Sequence, residues 1–362
     1  MRPHWTNCLT HFDSDVDAFI ADYFARADRR CLLVAGAGFD PRARLVAERL
    51  SPALGNRLEA VFLREERVDP DGALVSQADA NDAALRALAP RSQVLKIAIF
   101  ADDGAPVGGM RIGQALRDLP WPDVTDVVLD LSALSIGVGF PAARFLLTAC
   151  EARSCVSFHL MVGSNPELDA RIIDEPSPQA VTVRGFSGRS LASAELPVAR
   201  VWLPHLAPAK RATLAKIRAQ IEGVYKICPV LPFPARDPRR ADALIAEYQS
   251  ELLDEWEVDG RDLIYVSERN PLDAFRTIST LKARYDRTVE EVYTPQLVLS
   301  PVGSKVMAAG ALMAAIEHEL VVQHVETLRY EFNPQVASGG SDLRDMIVHV
   351  WLHGPVYSGY AA

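Results

Sequence analysis

Apolar residues along this chain collect in short, predominantly apolar runs, and the stretches between them are amphipathic. Residues 31–35, 58–63, 94–100, 124–131 and 156–162 are such runs. Each is bounded by turn formers, as expected of strands buried on both faces. Between them, residues 15–27, 41–50, 77–88, 112–119 and 140–152 carry apolar side chains at helical spacing. Ser14 is the candidate N-cap of the first helix, and Asp17 gives it an acidic first turn. The pattern loosens over 167–200, where Pro176, Pro178, Gly185 and Gly188 interrupt it and 182–189 reads as a hairpin or surface loop. It then resumes. Strands are predicted at 199–203, 263–266, 297–299, 320–325 and 346–352, with helices at 207–220, 239–254, 274–285 and 306–318. The Pro-punctuated segment 228–240 is expected to stay out of a sheet centre, and Ser338-Gly-Gly-Ser341 reads as a flexible connector.

This alternation predicts an α/β fold: two Rossmann-like units with mainly parallel sheets flanked by helices. The expected division is a first unit over 1–166, an irregular linker over 167–198, a second unit over 199–332, and a C-terminal strand extension over 333–362. The halves echo each other, each holding two strand–turn–helix units with polar turns. Asp40-Pro41 and Asn270-Pro271 even place a proline at the same point of the first helical turn, where its missing N–H costs nothing.

Composition narrows the function classes. The chain has 362 residues and a formal net charge of −9, which argues against a general nucleic-acid-binding surface. No apolar run approaches the length of a membrane span, and the first residues lack a signal-peptide pattern. The five cysteines are odd in number and form no CxxC pair, which fits free thiols in a reducing, cytoplasmic setting. His349, Trp351 and His353 alternate along one strand face. With no third ligand in view, no metal site is expected, and an exposed edge or an interface with a protein partner or second copy is the preferred reading.

Ligands of open α/β sheets bind beyond the carboxyl ends of the strands, so the polar turns there carry the candidate residues. After the first strand come Gly36-Ala-Gly38, Asp40 and Arg42, and after the fourth come Asp130 and Ser132. Gly36-Ala-Gly38 lacks the third glycine of a full dinucleotide fingerprint. The run Val34-Ala-Gly-Ala-Gly-Phe-Asp-Pro-Arg-Ala43 resembles the first cofactor motif of leucine carboxyl methyltransferase-type enzymes, with Pro41 where that family has Thr. The resemblance implies S-adenosylmethionine as cofactor, its ribose held by an acidic residue closing the second strand, Glu65 or Glu66. In the second half, Glu268, Arg269 and Asn270 follow a strand. Glu268 is a candidate general base or nucleophile, set against a helix-capping use of Asn270 and Asp273.

The turn Ser300-Pro-Val-Gly303-Ser304-Lys305, with Gly310 further on, breaks a strand and opens a helix. Backbone N–H groups, a helix N-terminus and a lysine then meet at one point, which suits an anion. It is similar to a strand-end motif of Rossmann-like nucleotide-sensor domains (CARF and SAVED) of bacterial antiviral systems. That resemblance implies phosphate contacts from Ser300, Gly303, Ser304 and Lys305. The expected function is therefore a sensor or regulatory protein for a nucleotide or another small phosphate-bearing ligand. A methyltransferase using the Gly36 loop is the alternative, and a structural subunit of a larger complex the third reading.

Overall fold

A computed structural model describes residues 5–153, 155–191, 196–289, 291–332 and 345–357. In chain order its strands begin with β1 (Thr10–Phe12), β2 (Cys31–Gly36), β3 (Leu58–Glu66), β4 (Arg91–Ala98), β5 (Asp126–Asp130) and β6 (Ser157–Ser164). They continue with β7 (Ile172–Ser187), β8 (Val198–Pro204), β9 (Val224–Ile227), β10 (Val230–Pro232), β11 (Ile264–Val266), β12 (Thr294–Ser300), β13 (Val321–Phe332) and β14 (Met346–His353). The helices are α1 (Ser14–Phe19), α2 (Leu45–Leu54), α3 (Gly72–Leu88), α4 (Gly108–Asp118), α5 (Ile136–Glu151), α6 (Pro166–Asp169), α7 (Arg211–Gln220), α8 (Arg240–Glu247), α9 (Pro271–Val289) and α10 (Lys305–Glu317). Two compact units divide them: one from Asn7–Glu175 with Leu328–Ala362, the other from Met1–Thr6 with Pro176–Thr327.

The first unit holds a seven-stranded sheet in the order β1-β14-β6-β5-β2-β3-β4. Strands β2 to β6 are mutually parallel. Numbered by their appearance in the chain, they lie 3-2-1-4-5, the order of a Rossmann sheet. The apolar runs explain why: β2, β5 and β6 are buried along their whole length, as strands covered on both faces must be. One side of the sheet closes over a core that includes Leu33, Ala35, Val46, Leu50, Phe62 and Leu85.

The second unit repeats the plan. Its five-stranded sheet runs β7-β13-β12-β8-β9, and β10 pairs in parallel with β11. A parallel bridge between His205 and Val230 joins the end of β8 to β10. The parallel strands thus read β11-β10-β8-β12-β13, again 3-2-1-4-5, with β9 and β10 together filling the second position. Both units are Rossmann-like, and the internal echo extends to topology. Around Trp202, Leu214, Tyr248 and Trp256 the second unit builds its own core. Helix α10 is buried from Val306 to Ala315, all round, as its unbroken Ala/Met/Leu composition requires.

Several expectations need correction. The segment read as a linker over 167–198 contains the 16-residue strand β7, and 182–187, read as a hairpin or loop, lies inside it. Pro176, Pro178 and Gly185 sit on this strand at the end of a sheet, where a missing N–H is tolerated. The C-terminal extension is no appendage: β14 lies between β1 and β6 of the first unit, antiparallel to both. His349 is consequently fully buried and Trp351 nearly so, and neither marks an exposed edge. The segment 228–240 does enter a sheet. Pro229 and Val230 accept backbone hydrogen bonds from Ile264 and Leu206, a role proline retains. The Ser338–Ser341 connector lies outside the described residues.

Gly310, noted beside the Ser300 turn, has a packing cause. A Cβ there would overlap the Pro271 carbonyl oxygen of α9 and approach Ala274 Cβ to 2.7 Å. Gly310→Ala is expected to destabilise the second unit by roughly 1–3 kcal/mol, the range for overpacking. The gain of about 1 kcal/mol in helix propensity should not rescue it, and urea denaturation of the variant would measure the net.

Candidate functional site

In the first unit the strand order reverses between β2 and β5, and a crevice is expected beyond their carboxyl ends. Gly36 closes β2. A Cβ there would lie 3.0 Å from the Ala133 carbonyl oxygen, so the turn after β5 demands glycine. Gly38 differs. A Cβ there would meet nothing within 4 Å, and its φ lies outside the left-handed region. The fold makes no demand for glycine at this position. The open space adjoins a cavity of about 330 Å³ lined by Gly38, Phe39, Glu65, Glu66, Arg67 and Tyr330, among others.

The loop around Gly38 is held firmly. Asn81 of α3, buried, donates its amide to the carbonyls of Gly38 (2.8 Å) and Asp40 (3.0 Å). Asp40 caps the turn that follows, accepting from Arg42 N at 2.9 Å. Its carboxylate also takes the Arg42 guanidinium through Nε (3.0 Å) and Nη2 (2.6 Å), and Asp169 of α6 pairs with the same Nη2 at 2.8 Å. Burial works against the Arg42 charge, but Asp169 and Asp40 hold its pKa above the ordinary arginine value. Arg42 is thus a bracket between the β2 loop and α6.

Across the crevice, Asp130 Oδ1 accepts from Ser132 N (2.8 Å) and from the Ser132 hydroxyl. That hydroxyl in turn accepts from Gly163 N at 2.6 Å, tying the end of β5 to β6. Burial pushes the Asp130 carboxyl up to about 7, with Asp40 adding to the rise and the Ser132 hydrogen bonds and Arg42 opposing it. At the end of β3, Glu65 accepts from Ser135 N (2.7 Å) and from Arg67 (2.8 Å), and the Arg67 guanidinium lies 4.8 Å over the Tyr330 ring. Phe39 and Tyr330 are in ring contact at 5.3 Å.

Five buried polar atoms at this end of the sheet have no hydrogen-bond partner in the protein: Arg42 Nη1, Asp130 Oδ2, Ser135 Oγ, Ser164 Oγ and Glu167 Oε2. All lie at or just beyond the carboxyl ends of β2, β5 and β6. Buried polar atoms without partners are uncommon in native proteins, and so many at one end of a sheet mark a place suited to a polar ligand.

The second unit offers less. Ser300 is fully buried, and its hydroxyl accepts from Trp202 Nε1 at 2.9 Å. Ser304 Oγ is 3.5 Å from the Glu268 carbonyl oxygen, Gly303 makes an ordinary contact with Ala207, and half-buried Lys305 opens α10. Glu268 is buried and anchored, accepting from Arg236 N (3.1 Å) with Arg240 Nε at 3.5 Å. Asn270 accepts from Leu272 N at 3.0 Å and so caps α9, Asp273 accepts from Ser267 N at 2.6 Å and so ties the first turn of α9 to the preceding loop, and Arg269 is exposed. His205, at the carboxyl end of β8, is fully buried with both ring nitrogens unpartnered, and burial pushes its pKa down to about 4.

The candidates therefore separate. Gly36, Gly38, Asp40, Arg42, Asp130 and Ser132 come together in one unit; Glu268, Arg269, Asn270, Ser300, Gly303, Ser304 and Lys305 lie in the other. Sequence reasoning missed Asn81, Ser135, Ser164 and Tyr330. Asn81 alone left a signal, an amide among small apolar residues of α3. Among the described residues, no group of three or more His, Cys, Asp or Glu side chains is placed to hold a metal ion. Nor is any helix among them long and apolar enough to cross a membrane.

No family model matches this chain, and no curated protein matches it either. Among solved structures it is similar to a protein of Pseudomonas aeruginosa UCBPP-PA14 assigned to the universal stress proteins. That likeness is 11% identical over 84% of this chain and 95% of the other, with a TM-score of 0.24. A Burkholderia cenocepacia protein assigned as a dehydrogenase, with NADP bound, is 12% identical over 76% of this chain and 93% of its own, at a TM-score of 0.23. The CcbJ methyltransferase of Streptomyces caelestis is 14% identical over 46% of this chain and 55% of its own, at 0.19. Likenesses of this size carry no argument about ligand or reaction, and the Rossmann-like assignment rests on the strand order of the two sheets.

Proposed function

We propose that this chain binds a nucleoside-bearing small molecule, a nucleotide or S-adenosylmethionine, in the crevice of its first unit. The observation that carries this reading is the cavity beside Gly38, a glycine that the fold itself does not require. A glycine at such a loop lets a ligand approach the backbone. Glu65 and Glu66 close the second strand, where an acidic side chain accepts from ribose hydroxyls. The rings of Phe39 and Tyr330 give a base an apolar surface. Isothermal calorimetry with ATP, NAD and S-adenosylmethionine tests the proposal. Heat from at least one, competed by adenosine, is expected, and silence from all three defeats it.

Within this reading, Asp130 is the candidate proton carrier. A carboxyl poised near neutrality at a strand end is suited to hold or pass a proton. Uptake of S-adenosylmethionine alone would support the methyltransferase alternative; uptake of a nucleotide would support the sensor.

A phosphate at the Ser300 turn, as the sensor resemblance implies, would have to use Gly303, Ser304 and Lys305, because the Ser300 side chain is fully buried beside Trp202. If that turn holds the ligand's phosphate, Lys305→Ala should weaken binding by about 1.5–3 kcal/mol, the range for hydrogen bonds to charged groups. The crevice proposal expects no change in the same titration.

A further inference from the structure

The first unit contains a line of three imidazoles ending on a carboxylate. His11 Nδ1 lies 2.9 Å from His349 Nδ1, His349 Nε2 lies 3.0 Å from His159 Nδ1, and His159 Nε2 lies 3.0 Å from Asp126 Oδ1. The four residues come from β1, β14, β6 and β5, four neighbouring strands. His349, His159 and Asp126 are fully buried, and only His11 is partly exposed. Asp126 stands at the amino end of β5, and from there the line runs obliquely across the sheet to His349, which pairs with Met161 of β6 and His11 of β1.

Hydrogen-bond chemistry fixes the tautomers. Ionised Asp126 can only accept, so His159 carries its proton on Nε2. Neutral His159 then accepts at Nδ1 from His349 Nε2–H, and neutral His349 accepts at Nδ1 from His11 Nδ1–H. The chain points one way, from His11 toward Asp126. A proton added at His11 Nε2 reverses both links between histidines and leaves the one to Asp126 as it was: His11 passes its Nδ1 proton to His349 Nδ1, and His349 passes its Nε2 proton to His159 Nδ1. One proton enters, none leaves, and the positive charge comes to rest on His159 beside Asp126. No other ring in the line has a carboxylate hydrogen-bonded to it among the described residues.

We propose that His11, His349 and His159 form a one-proton relay that carries charge from the edge strand β1 to the buried Asp126. The surroundings are arranged for this. Asp126 also accepts from Tyr23 Oη (2.9 Å) and Thr125 Oγ1 (2.6 Å), with Arg29 at 3.9 Å. Arg29 lies 4.4 Å over the Tyr23 ring, and Arg26 lies on the same ring at 5.8 Å. The Cys31 and Cys150 thiols, which feel the Asp126 charge, are held neutral by burial. Burial holds the entry residue His11 below the ordinary histidine range, while the charge of Asp15 on α1 works the other way. Phe19 stacks on both His11 (4.6 Å) and His349 (4.4 Å), and Trp351 packs on His159 at 4.6 Å, keeping the rings in line. Burial foremost, then its two neighbours, holds His349 well below the ordinary histidine range, so it passes charge without keeping it.

Nitrogen-15 NMR of the histidine rings in the full chain tests this between pH 8 and pH 5. At pH 8 the proton should sit on Nδ1 of His11 and on Nε2 of His349 and His159. On acidification the His349 proton should move from Nε2 to Nδ1 while His159 becomes doubly protonated, both with one midpoint shared by His11. In His11→Phe, which keeps a ring against Phe19, the tautomer change at His349 should vanish. Separate midpoints, a His349 tautomer that persists until the sheet unfolds, or an unchanged switch in His11→Phe would each overturn the relay.

Discussion

Gly38→Arg is expected to abolish uptake of any nucleoside-bearing ligand while changing stability by no more than about 0.5 kcal/mol, as surface substitutions usually do. The asymmetry follows from where the glycine sits. Its missing side chain faces open space, so an arginine displaces no part of the protein and instead projects into the space beside the cavity. Gly38→Ala, with one methyl in the same space, should bind within a few-fold of the unmodified chain. Gly36→Ala would separate the two glycines, since its Cβ presses on the Ala133 carbonyl and should cost stability first. Calorimetry paired with thermal denaturation on the three variants resolves these outcomes. Equal binding by Gly38→Arg would remove the crevice as the ligand site.

Acid should destabilise the second unit through His205. Its folded pKa, about 4, lies below the value of about 6.5 expected in the unfolded chain. Between these values the unfolded chain holds a proton that the folded one refuses. Stability is therefore intact above pH 6.5 and falls as the pH drops toward 4. At 1.36 kcal/mol per unit the loss approaches about 3 kcal/mol. His205→Phe removes the titrating group and two unpartnered buried nitrogens, so it should flatten this dependence and raise stability at pH 7.5 as well. Urea midpoints at pH 7.5 and pH 5 supply the comparison. A variant as acid-sensitive as the unmodified chain would show that other groups govern the loss.

The two predictions illustrate what could be read from the chain and what could not. Strands β2, β5, β6 and β12 were legible because burial on both faces leaves a short, predominantly apolar run in each. Gly36 and Gly38 look alike in sequence, and only their surroundings show that one serves packing and the other borders a cavity. Asp130 and Ser132 were visible as polar residues after a strand, but the rise of the Asp130 pKa depends on burial by residues distant in sequence. His349 and Trp351 were seen as one face of a strand, yet an alternating pattern does not say which strands lie on either side. β10 hid behind its prolines, because their carbonyls still accept and the residues beside them still donate: Cys228 N–H bonds to Trp202 and Phe233 N–H to Val266.

The place of β14 bears on biogenesis. The first unit is interrupted in sequence by the whole of Pro176–Thr327, and β14 emerges only after that insertion has been made. At roughly 5–20 residues per second, β6 then waits roughly 10–35 s for its antiparallel neighbour. During that interval its backbone donors and acceptors face an unfilled edge, a template for pairing with other nascent chains. The second unit, continuous from β8 to β12, can fold on the ribosome meanwhile. The chain therefore matures from its middle outward, and a stalled or truncated product lacking β14 is the species in which a chaperone would find an apolar strand edge to hold.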